Sequence, residues 1–289
     1  IVGGCCNTSA GNESFIGGGA DNQATGDCAV VGGGNQNIAS CCRSTVAGGQ
    51  GNTATDYYSA VAGGYCNCST NNYTTVAGGY CNNAAGTTSV IAGGQQNQAT
   101  GSYTVIGGGR INCAIALDSS VGGGSCNIAA SRGSTVAGGE QNFACCNNST
   151  IAGGFSSRST ALYSNIGGGQ FNNATGSFST IAGGKLNIAS GVASAAIGGG
   201  SENTASNSYS TVAGGFCNTA AGACSTIAGG FSNCVTHGCS SAIGVGVTSV
   251  SGSMLHVNRL WLSAGALPTA NPGVVGVVWN DSGTLKISV

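Results

Sequence analysis

Charge is nearly missing from this sequence. Asp, Glu, Lys and Arg make up 5% of its 289 residues, and the formal net charge is −1. No field of either sign is available to attract nucleic acid or anionic lipid. No apolar run approaches the ~18 residues that a membrane-spanning helix needs. Neither nucleic-acid binding nor membrane insertion is therefore expected. Histidine is confined to His237 and His256, which supports neither a His-based triad nor a metal cluster. The acidic residues fall at scattered positions and form no pair suited to glycoside hydrolysis. The 16 cysteines include no Cys-x-x-Cys spacing. Runs such as Gly32-Gly33-Gly34 are not followed by Lys-Ser or Lys-Thr, as a phosphate loop requires. No enzymatic activity, metal or cofactor is expected. No signal peptide is visible, and residue 1 is Ile rather than Met, so the chain is expected to be a processed product or a piece of something longer.

What the sequence has in excess is glycine, 55 residues of it, placed at fixed phases. The stretch Ser44-Thr45-Val46-Ala47-Gly48-Gly49-Gln50-Gly51-Asn52-Thr53-Ala54 returns with variations almost from end to end. Counting Val46 as the first position, units begin at Ile1, Ile16, Val31, Val46 and so on to Ile181, at a spacing of 15 residues. One extra residue around Ser194-Ala195-Ala196 moves the next start to Ile197; Val212 and Ile227 follow, and a degenerate start at Ile243 closes the array. So strict a period argues against a disordered linker, and the absence of a three-residue glycine period excludes collagen.

A short fixed period marks a solenoid. Fifteen residues are too few for a helix pair, and no 3.6-residue apolar spacing appears. Val or Ile preceded by Ser-Thr reads as a short strand; Gly-Gly then turns the chain. Each coil is expected to be strand, turn, strand, turn. Alternation puts Ser44 with Val46 on one face, and Asn52 with Ala54 on one face, with the branched residue and the small Ala pointing inward. Asn recurs at the seventh position: Asn22, Asn37, Asn52, Asn67, Asn82, Asn97, Asn112, Asn127, Asn142, Asn172, Asn187, Asn203, Asn218 and Asn233, with Ser157 the exception. That row reads as a structural ladder of stacked amides or as a left-handed turn residue. Sixteen coils at ~4.8 Å per layer would make an array roughly 75–80 Å long. One coil offers a thin core for so much glycine, so a closed homotrimer that covers a second face of each roll is expected.

Ser-Thr-Val-Ala-Gly-Gly-x-x-Asn-x-Ala-x-Gly resembles the head repeats of trimeric autotransporter adhesins, over about residues 1–242. The resemblance implies an all-β fold, a left-handed parallel β-roll assembled as a homotrimer. The steady Gly-Gly and Asn and the abundant Cys depart from that family's pattern.

Several outward rows are candidates for contact or cross-linking. Tyr58, Tyr73, Tyr103, Tyr163, Phe178 and Tyr209 share the thirteenth position. They read either as a stripe touching sugar or protein or as packing between chains. Cys66 with Cys81, and Cys224 with Cys239, share a phase in successive coils. They are candidate disulfides, since in-register layers bring their Cα atoms ~4.8 Å apart; the alternative is Cys as a small apolar filler.

Past Ile243 the period is lost. Residues 243–260 read as a transition strand, and 261–289 as a β-hairpin cap in which Trp261 and Trp279 cover the last open layer. The segment from Leu267-Pro268-Thr269 through Trp279-Asn280-Asp281 to Gly283-Thr284-Leu285-Lys286 is similar to the closing segment of phage and algal-virus fibre proteins. The resulting expectation is a non-catalytic fibre on a virion surface, attached to upstream fibre or virion components and binding a host glycan or protein receptor. A bacterial surface adhesin head is the alternative. An ice-binding solenoid fits less well, because the row before the branched residue mixes Thr45, Ala60, Thr75, Val90, Val105 and Asn165.

Overall fold

The computed structural model describes residues 1–258, and the strands 278–281 and 284–287 by their backbone. By internal contacts the chain divides into Ile1–His256 and Val257–Val289.

The first unit is a parallel β-solenoid of about 17 coils, each about 15 residues long, with no helix among the described residues. In the repeat that contains Val46, one strand is Thr45–Val46 and the other Thr53–Ala54. Each strand pairs in parallel with its equivalent in the coils before and after: Val46 lies opposite Val31 and Val61, and Ala54 opposite Ala39 and Ser69. Strands as short as two residues are stable only because the stack repeats them in register. One sheet has 16 strands, from Thr8–Ser9 to Cys234–Val235. The other is equally open: its pairings run in series from Phe15–Ile16 to Ser241–Val245, and no pairing joins its ends among the described residues. A third line of single parallel bridges runs along the fifth position, from Cys5 and Ala20 through Gln50, Tyr65 and Tyr80 to Phe216 and Phe231.

Four side chains per coil point inward. Ser44, Val46, Asn52 and Ala54 are all fully buried, and so are their equivalents along most of the stack. Burying one Val or Ile contributes about 1.5–3 kcal/mol, so every coil adds a modest increment and none could fold by itself. Where Ser replaces Ala at the ninth position, the hydroxyl is satisfied inside the coil: Ser69 Oγ lies 2.7 Å from Thr74 Oγ1, and Ser159 Oγ 2.6 Å from Ser164 Oγ.

The Asn row explains the Gly-Gly signature. The Asn52 amide nitrogen donates to Gly48 O in its own coil (2.9 Å) and to Gly64 O in the next (2.8 Å). Asn52 Oδ1 accepts from the Asn67 backbone N–H at 2.9 Å, while the Asn52 N–H donates to Asn37 Oδ1 at 3.0 Å. The ladder therefore runs from side chain to backbone. Contacts between amides join it only near the end of the array, at Asn203, Asn218 and Asn233. Gly49, at φ +90°, backs onto this network: a Cβ there would lie 2.2 Å from Gly64 O and 2.5 Å from Asn52 Nδ2. Glycine at that position is required twice over, by backbone angle and by space.

Irregular coils are absorbed at the turns. The extra residue of the coil after Ile181 is taken up at Val192, which is 81% exposed, while Ala195 takes the interior place and Ala196–Ile197 resumes the register. At the far end the register differs from the expected start at Ile243. Ala242 lies opposite Ile227 and is fully buried, whereas Ile243 sits beyond a register shift and is 49% exposed. The stack also continues past residue 242. Val247 takes the place of an Asn by donating to Asn233 Oδ1 at 2.9 Å, and the Ser241 N–H donates to Met254 O at 2.9 Å.

In the second unit, Val278–Asp281 pairs antiparallel with Thr284–Ile287, Asp281 lying opposite Thr284. Trp261 lies outside the described residues, and Trp279 is described by its strand backbone alone, so the cap expectation falls outside the described side chains.

Candidate contact surfaces: two corners and an uncharged wall

With the interior occupied by Ser, Val or Ile, Asn and Ala, any contact with another molecule must use the outward rows. Two of these are set by left-handed corners. The sixth and thirteenth positions adopt φ near +55° in coil after coil, for example Cys66 (+53°), Cys81 (+50°), Tyr58 (+54°) and Tyr73 (+58°). For side chains of this size such a conformation costs about 1–2 kcal/mol each. The geometry that offsets this is a reversal of hydrogen-bond direction. Strand amides donate to the following coil, as Thr45 N does to Ser59 O at 2.9 Å. Corner amides donate to the preceding coil, as Cys81 N does to Tyr65 O and Tyr73 N to Tyr57 O, both at 2.9 Å. Neighbouring coils are thus held by bonds of both senses.

The second corner has a fixing device of its own. Ser59 Oγ donates to Asp56 O at 2.6 Å and accepts from the Asp56 N–H at 3.1 Å. Ser44 does the same with Cys41 at 2.7 and 3.2 Å. This fourteenth-position hydroxyl is a buried local clamp on the turn. Where the eleventh position is Gly86, Gly176 or Gly222, the corresponding Ser89, Ser179 and Ser225 hydroxyls have no hydrogen-bond partner among the described residues.

The corners throw their side chains outward in register, and the layer spacing brings aromatic rings to stacking distance. At the thirteenth position, Tyr58 stacks on Tyr73 with centroids 5.2 Å apart, and Tyr163 on Phe178 at 5.1 Å. Tyr103 and Tyr209 stand exposed without a ring neighbour among the described residues. On the fifth-position line, just after Gly-Gly, Tyr65 stacks on Tyr80 and Phe216 on Phe231. The candidate contact row is therefore broken into two stacks and two single rings.

None of the 16 cysteines is joined in a disulfide in this structure. Cys66 and Cys81, and Cys224 and Cys239, stand at the same corner of successive coils and are unbridged in this structure. Equivalent positions of in-register layers have parallel Cα–Cβ bonds, so their Cβ atoms keep the ~4.8 Å layer spacing, beyond the ~3.8 Å that a disulfide favours. Burial pushes the Cys68 and Cys113 thiols up from the ordinary value, and Cys145 likewise. Among the described residues no group of three metal-ligating side chains is gathered at one point.

The remaining surface is a wall. From Phe15 to Ser241 the fifteenth position carries Phe, Val, Thr, Ala, Ser or Asn, and the second to fourth positions carry Ala or Gly followed by Gly-Gly. No Asp, Glu, Lys or Arg interrupts these rows. The charges of the array lie at or beside the corners, on the fifth-position line as Arg110, Glu140 and Lys185, and on the opposite sheet as Arg158. Among the described residues the ion pair Arg132–Asp118, at 3.9 Å and largely exposed, contributes little.

Against known families, residues 210–222 match the Ubiquitous surface protein adhesin repeat. The matched stretch, Ser210-Thr211-Val212-Ala213-Gly214-Gly215-Phe216-Cys217-Asn218-Thr219-Ala220-Ala221-Gly222, is one repeat in the phase described above. No curated protein matches the chain. Fold and repeat together define an all-β parallel solenoid with adhesin-like coils.

Proposed function

We propose that this chain is the repeat section of a surface-exposed attachment fibre, non-catalytic and assembled from copies of itself. The observation that carries the proposal is the coincidence of the adhesin-repeat match at 210–222 with one coil of a stack that repeats the same design from end to end. The interior rows are scaffold; the aromatic and charged corners are what a receptor, glycan or protein, would meet. A homotrimer is the assembly that suits the uncharged wall. Sixteen layers at ~4.8 Å and about 10 Å of width give roughly 750 Å² per wall, close to the ~800 Å² per partner of a stable interface. The adhesin match favours a bacterial cell surface. A virion fibre is the second reading, supported by the resemblance of the segment 267–288 to viral fibre endings. Light scattering tests the assembly: the expected mass is three times the 27.6 kDa of the chain, and a monomer in native buffer contradicts it. Binding of the labelled chain to a panel of bacterial, algal and animal cells tests attachment; failure to bind any of them contradicts that part.

A further inference from the structure

One stretch of the thirteenth-position corner differs from the rest of the array. Across three successive coils, Asp27, Cys28, Cys42, Arg43, Tyr57 and Tyr58 line a surface groove of about 390 Å³. Both phenol rings are exposed at its side. The Arg43 guanidinium lies 5.3 Å from the centre of the Tyr58 ring and donates from Nη1 to the Tyr58 hydroxyl. Arg43 is in no ion pair among the described residues, and its guanidinium lies beside the Cys28 thiol as well as the Tyr58 ring. Asp27 is fixed from the opposite side: its Oδ1 accepts the Asn12 backbone N–H at 2.9 Å, and its second oxygen carries no protein hydrogen bond among the described residues.

We infer that this groove is a subsite for a neutral hexopyranose unit of a host glycan. The inference rests on the attachment reading given above and names the ligand class for one part of that surface. A pyranose presents an apolar C–H face and a rim of hydroxyls that both donate and accept. It is recognised by an aromatic face together with a fixed donor and a fixed acceptor. Tyr57, Arg43 and Asp27 supply these three in one place. Charge selects the neutral sugar over an acidic one. Within residues 1–60 Arg43 is the lone Lys or Arg, and this corner there also carries Glu13, Asp27 and Asp56, so a carboxylated, sulfated or phosphorylated sugar would enter a net acidic surface. The volume lies within the ~300–1,000 Å³ range of small-molecule sites. Other corner aromatics lack the combination: Tyr163 and Phe178 neighbour Leu162 and Asn148, and Tyr209 neighbours Ser194 and Cys224.

The test is saturation-transfer NMR on the full chain with methyl β-galactoside, methyl α-mannoside and methyl β-glucoside, and with glucuronate and N-acetylneuraminate as the acidic arm. At least one neutral hexoside is expected to receive saturation. Its apparent affinity should fall about five-fold in Tyr57→Ala and about ten-fold in Asp27→Asn. The latter retains an acceptor for Asn12, so the turn is kept. Tyr209→Ala should leave binding unchanged. The inference is overturned if no neutral hexoside binds, if binding ignores Tyr57 and Asp27, or if the acidic sugars bind more tightly. Cell binding separates the two readings. Equal binding by wild type and Tyr57→Ala overturns the sugar site and leaves attachment standing. Asp27-dependent sugar binding without binding to any cell supports the site and overturns attachment.

Discussion

Replacing Asn127 by Ala removes one rung from the middle of the array. Asn127 donates to Gly123 O at 2.9 Å and to Gly139 O at 2.7 Å, and its Oδ1 accepts from the Asn142 N–H at 3.0 Å. Gly139 O retains the Ser125 N–H at 3.0 Å. Gly123 O and the Asn142 N–H are left without a partner in a dry interior. Each orphaned group costs about 1–3 kcal/mol, and the missing side chain leaves a small void, so the expected loss is about 3–5 kcal/mol. Ser157 offers the opposite change. Its hydroxyl accepts from Asn172 N at 3.3 Å and cannot donate to both flanking glycine carbonyls as an Asn amide does. Ser157→Asn is expected to stabilise by about 1–2 kcal/mol, through new bonds to Gly153 O and Gly169 O. The assay is the urea midpoint of each variant together with peptide-resolved hydrogen exchange, because a repeat array can lose one region before the rest. If Asn127→Ala costs under ~1 kcal/mol while Ser157→Asn changes nothing, the amide network does not carry the stack.

Three further outcomes follow from the same geometry. Gly139→Ala should be severely destabilising, since its Cβ would lie 2.2 Å from Gly154 O at φ +88°, whereas Gly138→Ala meets nothing within 4 Å and should cost under ~1 kcal/mol; thermal melts of the pair check this. Thr88, a β-branched residue at φ +60°, should give way to Asn with a gain of about 0.5–1 kcal/mol in melting experiments, because Asn tolerates the left-handed region. Stability should fall as pH rises past about 9 in reducing buffer. The Cys68, Cys113 and Cys145 thiols are raised by burial above their ordinary 9.0, so the unfolded chain ionises first and gains relative to the folded one. A melting temperature constant from pH 8 to 10.5 would refute that.

The parts of the fold legible in the sequence are those where one residue type serves one place. Val46, Ala54 and Asn52 recur in phase because the interior at each point accepts a single shape, and strand alternation then assigns Ser44 to the same side. The corners were less legible. Cys66, Tyr58, Gln96 and Ile111 share the left-handed conformation yet have little in common chemically, because their side chains leave the coil and the backbone bond to the preceding layer does the fixing. The Asn row was open to reading as the left-handed residue; that role belongs to the position before it. The Ser and Thr at the fourteenth position were visible as a row, but their clamp on the turn depends on a carbonyl three residues back, which composition does not reveal. Ala242 was passed over for Ile243 because a branched residue is the stronger pattern signal, while the pairing with Ile227 selects by length of chain.

The fold depends above all on every 15 residues forming one in-register layer. Native-state amide exchange of the full chain measures this residue by residue. Protection should recur with a fifteen-residue period, strong at the Asn amides such as Asn52, Asn67 and Asn82, which are bound to the preceding Asn side chain, and absent at Gly48 and Gly63 between the two strands. Protection with no such period, or Asn amides that exchange as fast as those glycines, would contradict it.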